Sequence, residues 1–147
     1  MEIYTMTNTH EKWGITAAFA EKCTWRAGKR LSELMCSNFF KERERVFAAF
    51  EDGEPVGFCT LSEKDELDPK YPYSPLIGFV FVDEVHRGRR ISGRMIEKVL
   101  EYAKSIGYDK AFVMSGEKGL YEKYGFEYMG DFESIYGGKE RLFVISL

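Results

Sequence analysis

The chain has 147 residues, a formal net charge of -3, 44% hydrophobic and 31% charged residues. That is one ordinary domain with enough apolar content for its own core, and it excludes a disordered or fibrous chain. The acidic balance argues against general nucleic-acid binding, and no apolar run approaches the ~20 residues that span a bilayer. The opening MEIYTMTNTHEKW lacks the basic start and apolar stretch of a secretory signal. Three cysteines without a CxxC pair suit a reducing, cytoplasmic setting in which they act as small buried hydrophobes. Two distant histidines, His10 and His86, make a histidine metal site improbable, so no metal is expected.

Residues 2–6 read as a first strand. Trp13, Ile15, Phe19, Ala20 and Cys23, and then Leu31, Leu34, Met35 and Phe39, recur at helical spacing and predict two helices, with a bend at Trp25 and Ala27-Gly28. Residues 45–50 and 55–61 are β-rich runs joined by Asp52-Gly53, a strong hairpin signal. Residues 62–75 are acidic and proline-bearing, hence a loop. The run 76–82 (LIGFVFV) predicts a central strand buried on both faces, in which Gly78 marks a bulge or a close backbone approach.

The basic turn HRGRRISGR follows. Ile91, Met95, Ile96, Val99, Leu100 and Ala103 give a helical stripe that Gly107 ends. Residues 110–114 are a further buried strand, so 76–114 form a β-α-β unit with parallel outer strands. A short helix near 118–124 leads through Gly125 into strands at 126–132 and 141–147.

The chemistry concentrates where the strand at 76–82 feeds the helix. Unpaired amides at a helix start, with the dipole behind them, attract anions. Arg87, Arg89, Arg90 and Arg94 add charge there, which points to a phosphate or diphosphate. A solvated basic helix end is the commoner fate of an arginine cluster. Gly88 and Gly93 have P-loop spacing, but Arg94-Met95 stands where Lys-Ser/Thr belongs, and GxGxxG is absent. Both nucleotide motifs are therefore rejected.

VDEVHRGRRISGRMI followed by GLYEKYGF resembles the GNAT superfamily of N-acetyltransferases, and more narrowly its small single-domain bacterial members. The resemblance covers residues 45–147 well and the N-terminal helices loosely. The family pattern Gln/Arg-x-x-Gly-x-Gly/Ala corresponds to residues 87–92, with Arg90 at the usual Gly and Ser92 at the usual Gly/Ala. The resemblance implies an α/β (α+β) fold over residues 1–147. Its sheet is mixed and mostly antiparallel, with a central parallel splayed strand pair, flanked by about four helices.

It also implies acetyl-CoA as acetyl donor and a small-molecule or peptide primary amine as acceptor, with direct attack in a ternary complex. Val80, Phe81 and Val82 would face the pantetheine arm. Arg87, Gly88, Arg89, Arg90, Ile91, Ser92 and Gly93 would hold the diphosphate. Ser115 would contact the arm, and Tyr121 would serve as general acid. A strand N–H near Val82 would receive the developing negative oxygen. Asp65 is the favoured base among Asp65, Glu66, Asp83 and Glu84. Glu63, Asp65, Glu66 and Asp68, with Tyr71 and Tyr73, would suit a cationic acceptor. Trp25, Phe39 and Phe40 are candidates for its apolar wall, although core packing is the commoner use of the two phenylalanines. No nucleic-acid or membrane partner is implied, and a homodimer is common among look-alikes. The alternative function is a non-catalytic acyl-CoA-binding sensor or partner domain.

Overall fold

The computed structural model describes residues 1–147. The elements are β1 (Glu2–Met6), α1 (Trp13–Lys22), α2 (Ala27–Cys36), β2 (Arg45–Glu51), β3 (Glu54–Ser62), β4 (Leu76–Val82), α3 (Ile91–Ser105), β5 (Lys110–Met114), α4 (Leu120–Lys123), β6 (Glu127–Glu133) and β7 (Lys139–Ser146). One seven-stranded sheet runs in the order β1-β2-β3-β4-β5-β7-β6. Its pairs are antiparallel except β4–β5, which is parallel as the β-α-β reading requires.

The hairpin signal is realised. Glu51 faces Glu54, and Asp52 and Gly53 between them have φ of 51° and 80°, the left-handed pair that a two-residue turn of matching twist demands. The stripe of α3 buries Ile91, Met95, Ile96, Val99 and Ala103 on one sheet face, against Phe47, Leu61, Ile77 and Val82. The opposite face carries α1 and α2. There Ala17, Ala20, Leu31 and Met35 meet Phe50, Phe58 and Phe81.

Gly28 is a point of contact rather than a bend. A side chain there would collide with the Ala20 carbonyl, so glycine lets α2 approach α1 closely. The stripe expected for α1 is shifted. Thr16, Ala17 and Ala20 are buried, whereas Ile15 is exposed, because small residues face the crossing helix. Phe39 lies beyond α2 and is exposed. Of the cysteines, Cys59 is buried, Cys23 is half-buried and Cys36 is exposed.

At the sheet centre β4 and β5 pair only at Leu76–Phe112 and Ile77–Val113. Beyond Ile77, β4 runs on to Val82 without a partner on that side, and the wedge so formed is the middle of the molecule's site. No helix is long and apolar enough to cross a membrane.

Candidate active site

The wedge opens into a cavity of about 850 Å3. Its floor is β4 from Ile77 to Val82, and its far wall is the end of β5 with Ser115 and Gly116. Tyr121, Arg87 and Ser92 line it, as do Asp65, Glu66, Glu84 and Glu140. Val80, Phe81, Val82, Ser115, Tyr121 and Asp65 thus converge on one space. They come from the ends of two strands, β4 and β5, from the loop before β4 and from α4.

β4 is shaped for this by one additional residue. Phe58 faces Phe81 and Thr60 faces Gly78, so Cys59 alone opposes both Phe79 and Val80. This is a β-bulge, and Phe79 takes the left-handed φ of 50° to make it. Gly78 answers to a close approach. Its missing side chain leaves room for the Asp65 carboxylate, whose Cγ and Oδ2 would lie 2.6 Å from a Cβ at residue 78.

Asp65 is half-buried where it lines the cavity, and its removal from solvent pushes its pKa up to about 7. Repulsion from Glu66 acts in the same direction, while the Glu66 backbone N–H opposes it. Glu66 is raised too, first by burial and then by Glu140. A carboxyl that titrates near neutrality is matched to taking a proton at working pH.

Tyr121 is held by its helix against Phe126, Phe143 and Tyr124, with ring centroids 5.6, 5.8 and 6.1 Å away. Burial, then Cys59, Tyr124 and Glu117, raise its pKa above the ordinary tyrosine value. The phenol therefore keeps its proton at any physiological pH and can only donate it.

The turn before α3 is built for an anion. Arg90 stands at the helix start with φ 62° and ψ 22°, no side chain caps α3, and its first turn holds no acid. The first bond of the helix that reaches back across this turn runs from Arg94 N to Arg90 O, at 3.1 Å. The amides of Ile91, Ser92 and Gly93 precede it and have no acceptor within the helix. Arginines here oppose the helix dipole unless negative charge arrives. The left-handed shape that the family pattern would give to glycine is thus kept by Arg90 at a cost of ~1–2 kcal/mol.

The four arginines are not equivalent. Arg87 lines the cavity, donates Nε–H to Val82 O at 2.9 Å and lies over the Phe81 ring. Arg89 pairs with Glu51, which also approaches His86 at 3.5 Å. Arg90 and Arg94 are exposed at the helix start, and Gly88 supplies the second left-handed residue of the turn with φ 80°. Ser92 shares a hydrogen bond of 2.7 Å with Tyr124 OH, and the Tyr124 ring would lie 3.0 Å from a Cβ on Gly93. Small residues at 92 and 93 therefore let α4 dock on the start of α3.

Some sequence candidates fall elsewhere. Tyr71 and Tyr73 stack in a satellite core with Phe132 and Phe112. Glu63 pairs with Lys41, and Asp68 accepts the Lys70 amide. Asp83 lies beside His86, at 3.4 Å. Phe40 packs edge-on against Trp13, away from the cavity. Glu140, unmarked in the sequence, enters from β7, and only strand pairing across the sheet brings it beside Glu66.

The sequence profile of the Acetyltransferase (GNAT) family matches residues 11–126, and the chain belongs to that family. Among solved structures it resembles aminoglycoside 6'-acetyltransferase type Ii, with a TM-score of 0.75 at 16% identity, covering 99% of this chain and 97% of that one. The aminoglycoside 6'-N-acetyltransferase from Enterococcus faecium gives 0.72 at 15% identity, with the same coverage. A GNAT family acetyltransferase from Elizabethkingia anophelis with acetyl-CoA bound gives 0.67 at 17% identity, again covering 99% and 97%. No curated protein matches the chain in sequence. These likenesses carry the fold.

Proposed function

We propose that this protein transfers the acetyl group of acetyl-CoA to a primary amine, with both substrates bound together. The observation that carries the reading is the wedge between β4 and β5. It runs from an uncapped, arginine-rich helix start to a space faced by both a neutral-range carboxyl and a permanently protonated phenol.

The residues fit the donor. The amides of 91–93 and the turn at 87–90 would hold its diphosphate, with Arg87 as the guanidinium nearest the cavity. The open edge of Val80, Phe81 and Val82 offers backbone groups to its arm, and Ser115 stands across the gap. When bound, the donor supplies a thioester whose C–S bond breaks as the amine nitrogen forms the new C–N bond.

An alkyl ammonium of pKa ~10.4 costs about 4–5 kcal/mol to deprotonate at pH 7. Asp65 lowers that cost by accepting the proton at the cavity wall. Tyr121 delivers the proton that the departing sulfur needs, general-acid assistance of about 10²–10⁴-fold. The two groups divide the work because their surroundings hold one near neutrality and the other far above it.

The test is release of free thiol from acetyl-CoA across a panel of primary amines, alongside calorimetric titration with acetyl-CoA. Turnover with at least one amine is expected. Tight acetyl-CoA binding with no turnover on any amine would instead establish a non-catalytic acyl-CoA-binding domain.

A further inference from the structure

The bulge in β4 has an effect on the acceptor side of the cavity. In an unbroken strand, neighbouring side chains alternate between faces. Here Ile77, Val80 and Val82 pack on the α3 side, while Phe79 and Phe81 pack on the α1/α2 side. Gly78, opposite to Ile77, faces that second side as well. Two consecutive positions, 78 and 79, therefore look the same way. One makes room for the Asp65 carboxylate, and the other adds an aromatic residue to the lining of the same cavity.

Trp25 completes the arrangement. It lies in the connection between α1 and α2, is 36% exposed, and lines the same cavity. Its ring stacks on Phe81 at 5.9 Å and 5° and meets Phe79 edge-on at 6.3 Å. The stack fixes Trp25 from behind and leaves its remaining surface for a ligand.

We propose that Trp25 and Phe79 are the specificity-determining wall for the acceptor, and that they select a primary amine carried on an apolar aryl or alkyl stem, with its ammonium between the rings and the Asp65 carboxylate. This rests on the acetyltransferase reading above and narrows it to a substrate class. Aromatic rings and a carboxylate lining one cavity suit such a ligand twice over. The rings attract the cation through their electron-rich faces and cover the stem, while the carboxylate receives the charge. Any ammonium gains the attraction of the ring face and of the carboxylate, so what an apolar stem adds, and a hydroxylated one lacks, is the surface the rings cover. The wall also places the nitrogen next to the group that takes its proton.

The experiment measures acetyl transfer and binding side by side, using 2-phenylethylamine, n-hexylamine, ethanolamine and an aminoglycoside. The wild type is compared with Trp25→Ala, Phe79→Gly and Phe79→Leu. Phe79→Gly removes the ring at a position whose φ favours glycine, so it separates loss of the wall from loss of the fold. Phe79→Leu keeps bulk, and circular dichroism checks folding. Binding is followed by tryptophan emission in a Trp13→Phe background, where Trp25 is the one remaining tryptophan, with CoA present.

The expected result is an acceptor KM for 2-phenylethylamine raised about tenfold in Trp25→Ala and Phe79→Gly, the size of uncovering part of an apolar stem. The ethanolamine KM rises by a smaller factor, about threefold, acetyl-CoA affinity is unchanged, and stemmed amines quench Trp25 emission saturably. If all four amines lose equally, if none does, or if ethanolamine or the aminoglycoside is the better ligand, the wall assignment is overturned. Saturable quenching without acetyl transfer leaves the wall standing and removes the enzymatic reading. Transfer that is indifferent to both rings does the reverse.

Discussion

Gly78 and Asp65 compete for one volume. The carboxylate of Asp65 occupies the place where any other residue at 78 would put its Cβ. Because the obstacle is the end of a flexible side chain, an alanine at 78 can be housed by turning Asp65 away. Gly78→Ala should therefore fold with stability within about 1 kcal/mol of the parent. It should nevertheless lose about 10²-fold in kcat/KM, the scale of misplacing a reacting group by an ångström. Steady-state rates and a thermal melt on one preparation check both halves.

Asp65 sets the pH dependence. Its folded pKa of about 7 lies above the 3.8 of an ordinary aspartate. The folded state therefore holds this proton more tightly than the unfolded chain. The contribution is fully present below about pH 4 and is lost as pH rises toward 7. Asp65→Asn should thus be more stable than the parent at pH 8, by at most about 4 kcal/mol at ~1.4 kcal/mol per pH unit between the two pKa values. The difference should close by pH 4. The same variant should lose the acid limb of the kcat/KM profile, which in the parent rises through about pH 7. Denaturant titrations at several pH values and a pH–rate series provide the measurements.

Tyr121→Phe keeps the ring among Phe126, Phe143 and Tyr124 and removes only the hydroxyl. A fall of about 10²-fold or more in kcat is expected, with acetyl-CoA affinity little altered. Undiminished turnover on a good amine would leave Tyr121 as a packing residue. Its raised pKa also predicts no basic limb from this phenol below pH 10.

Arg90→Gly separates backbone from side chain at the helix start. Relief of the left-handed conformation, less the added freedom of the unfolded chain, should stabilise by ~0.5–1 kcal/mol, or about 2–4 °C in Tm. If the amides of residues 91–93 do the holding, acetyl-CoA affinity should fall no more than about threefold, the worth of one exposed charge contact. A loss of about 10²-fold would assign the grip to the guanidinium. Calorimetry with acetyl-CoA distinguishes the two.

Local signals carried much of this architecture. Asp52-Gly53 needed no distant partner to specify its turn. The stripe from Ile91 to Ala103, closed by Gly107 with φ 98°, announced α3 for the same reason. Gly78 was legible as an anomaly, and both physical causes of such a glycine are present side by side, the bulge in Phe79 and the approach of Asp65. What escaped depends on contacts far apart in sequence. Ile15 fits a helical stripe, yet tertiary packing buries Thr16, Ala17 and Ala20 instead, with Ala20 meeting α2 at Gly28. Glu140 becomes a neighbour of Glu66 through the pairing of β7 within the sheet together with the bond from Ile135 N to Glu66 O, which ties the β6–β7 connection to the loop before β4. Phe79 looked like one more apolar letter in LIGFVFV, and its inverted φ follows from its pairing with β3, not from its type.

Two rungs of pairing at Leu76 and Ile77 join β4 to β5, so the backbone of the sheet is two panels linked by a short seam, with the core on the α3 side spanning both. One panel is β1 to β4, the other β5 to β7. Anything lodged in the gap acts as mortar between them, supplying the cross-links that the strands forgo. Filling it should slow amide exchange along β5 and β7 beyond the residues that line the gap, because relative motion of the panels is then restrained.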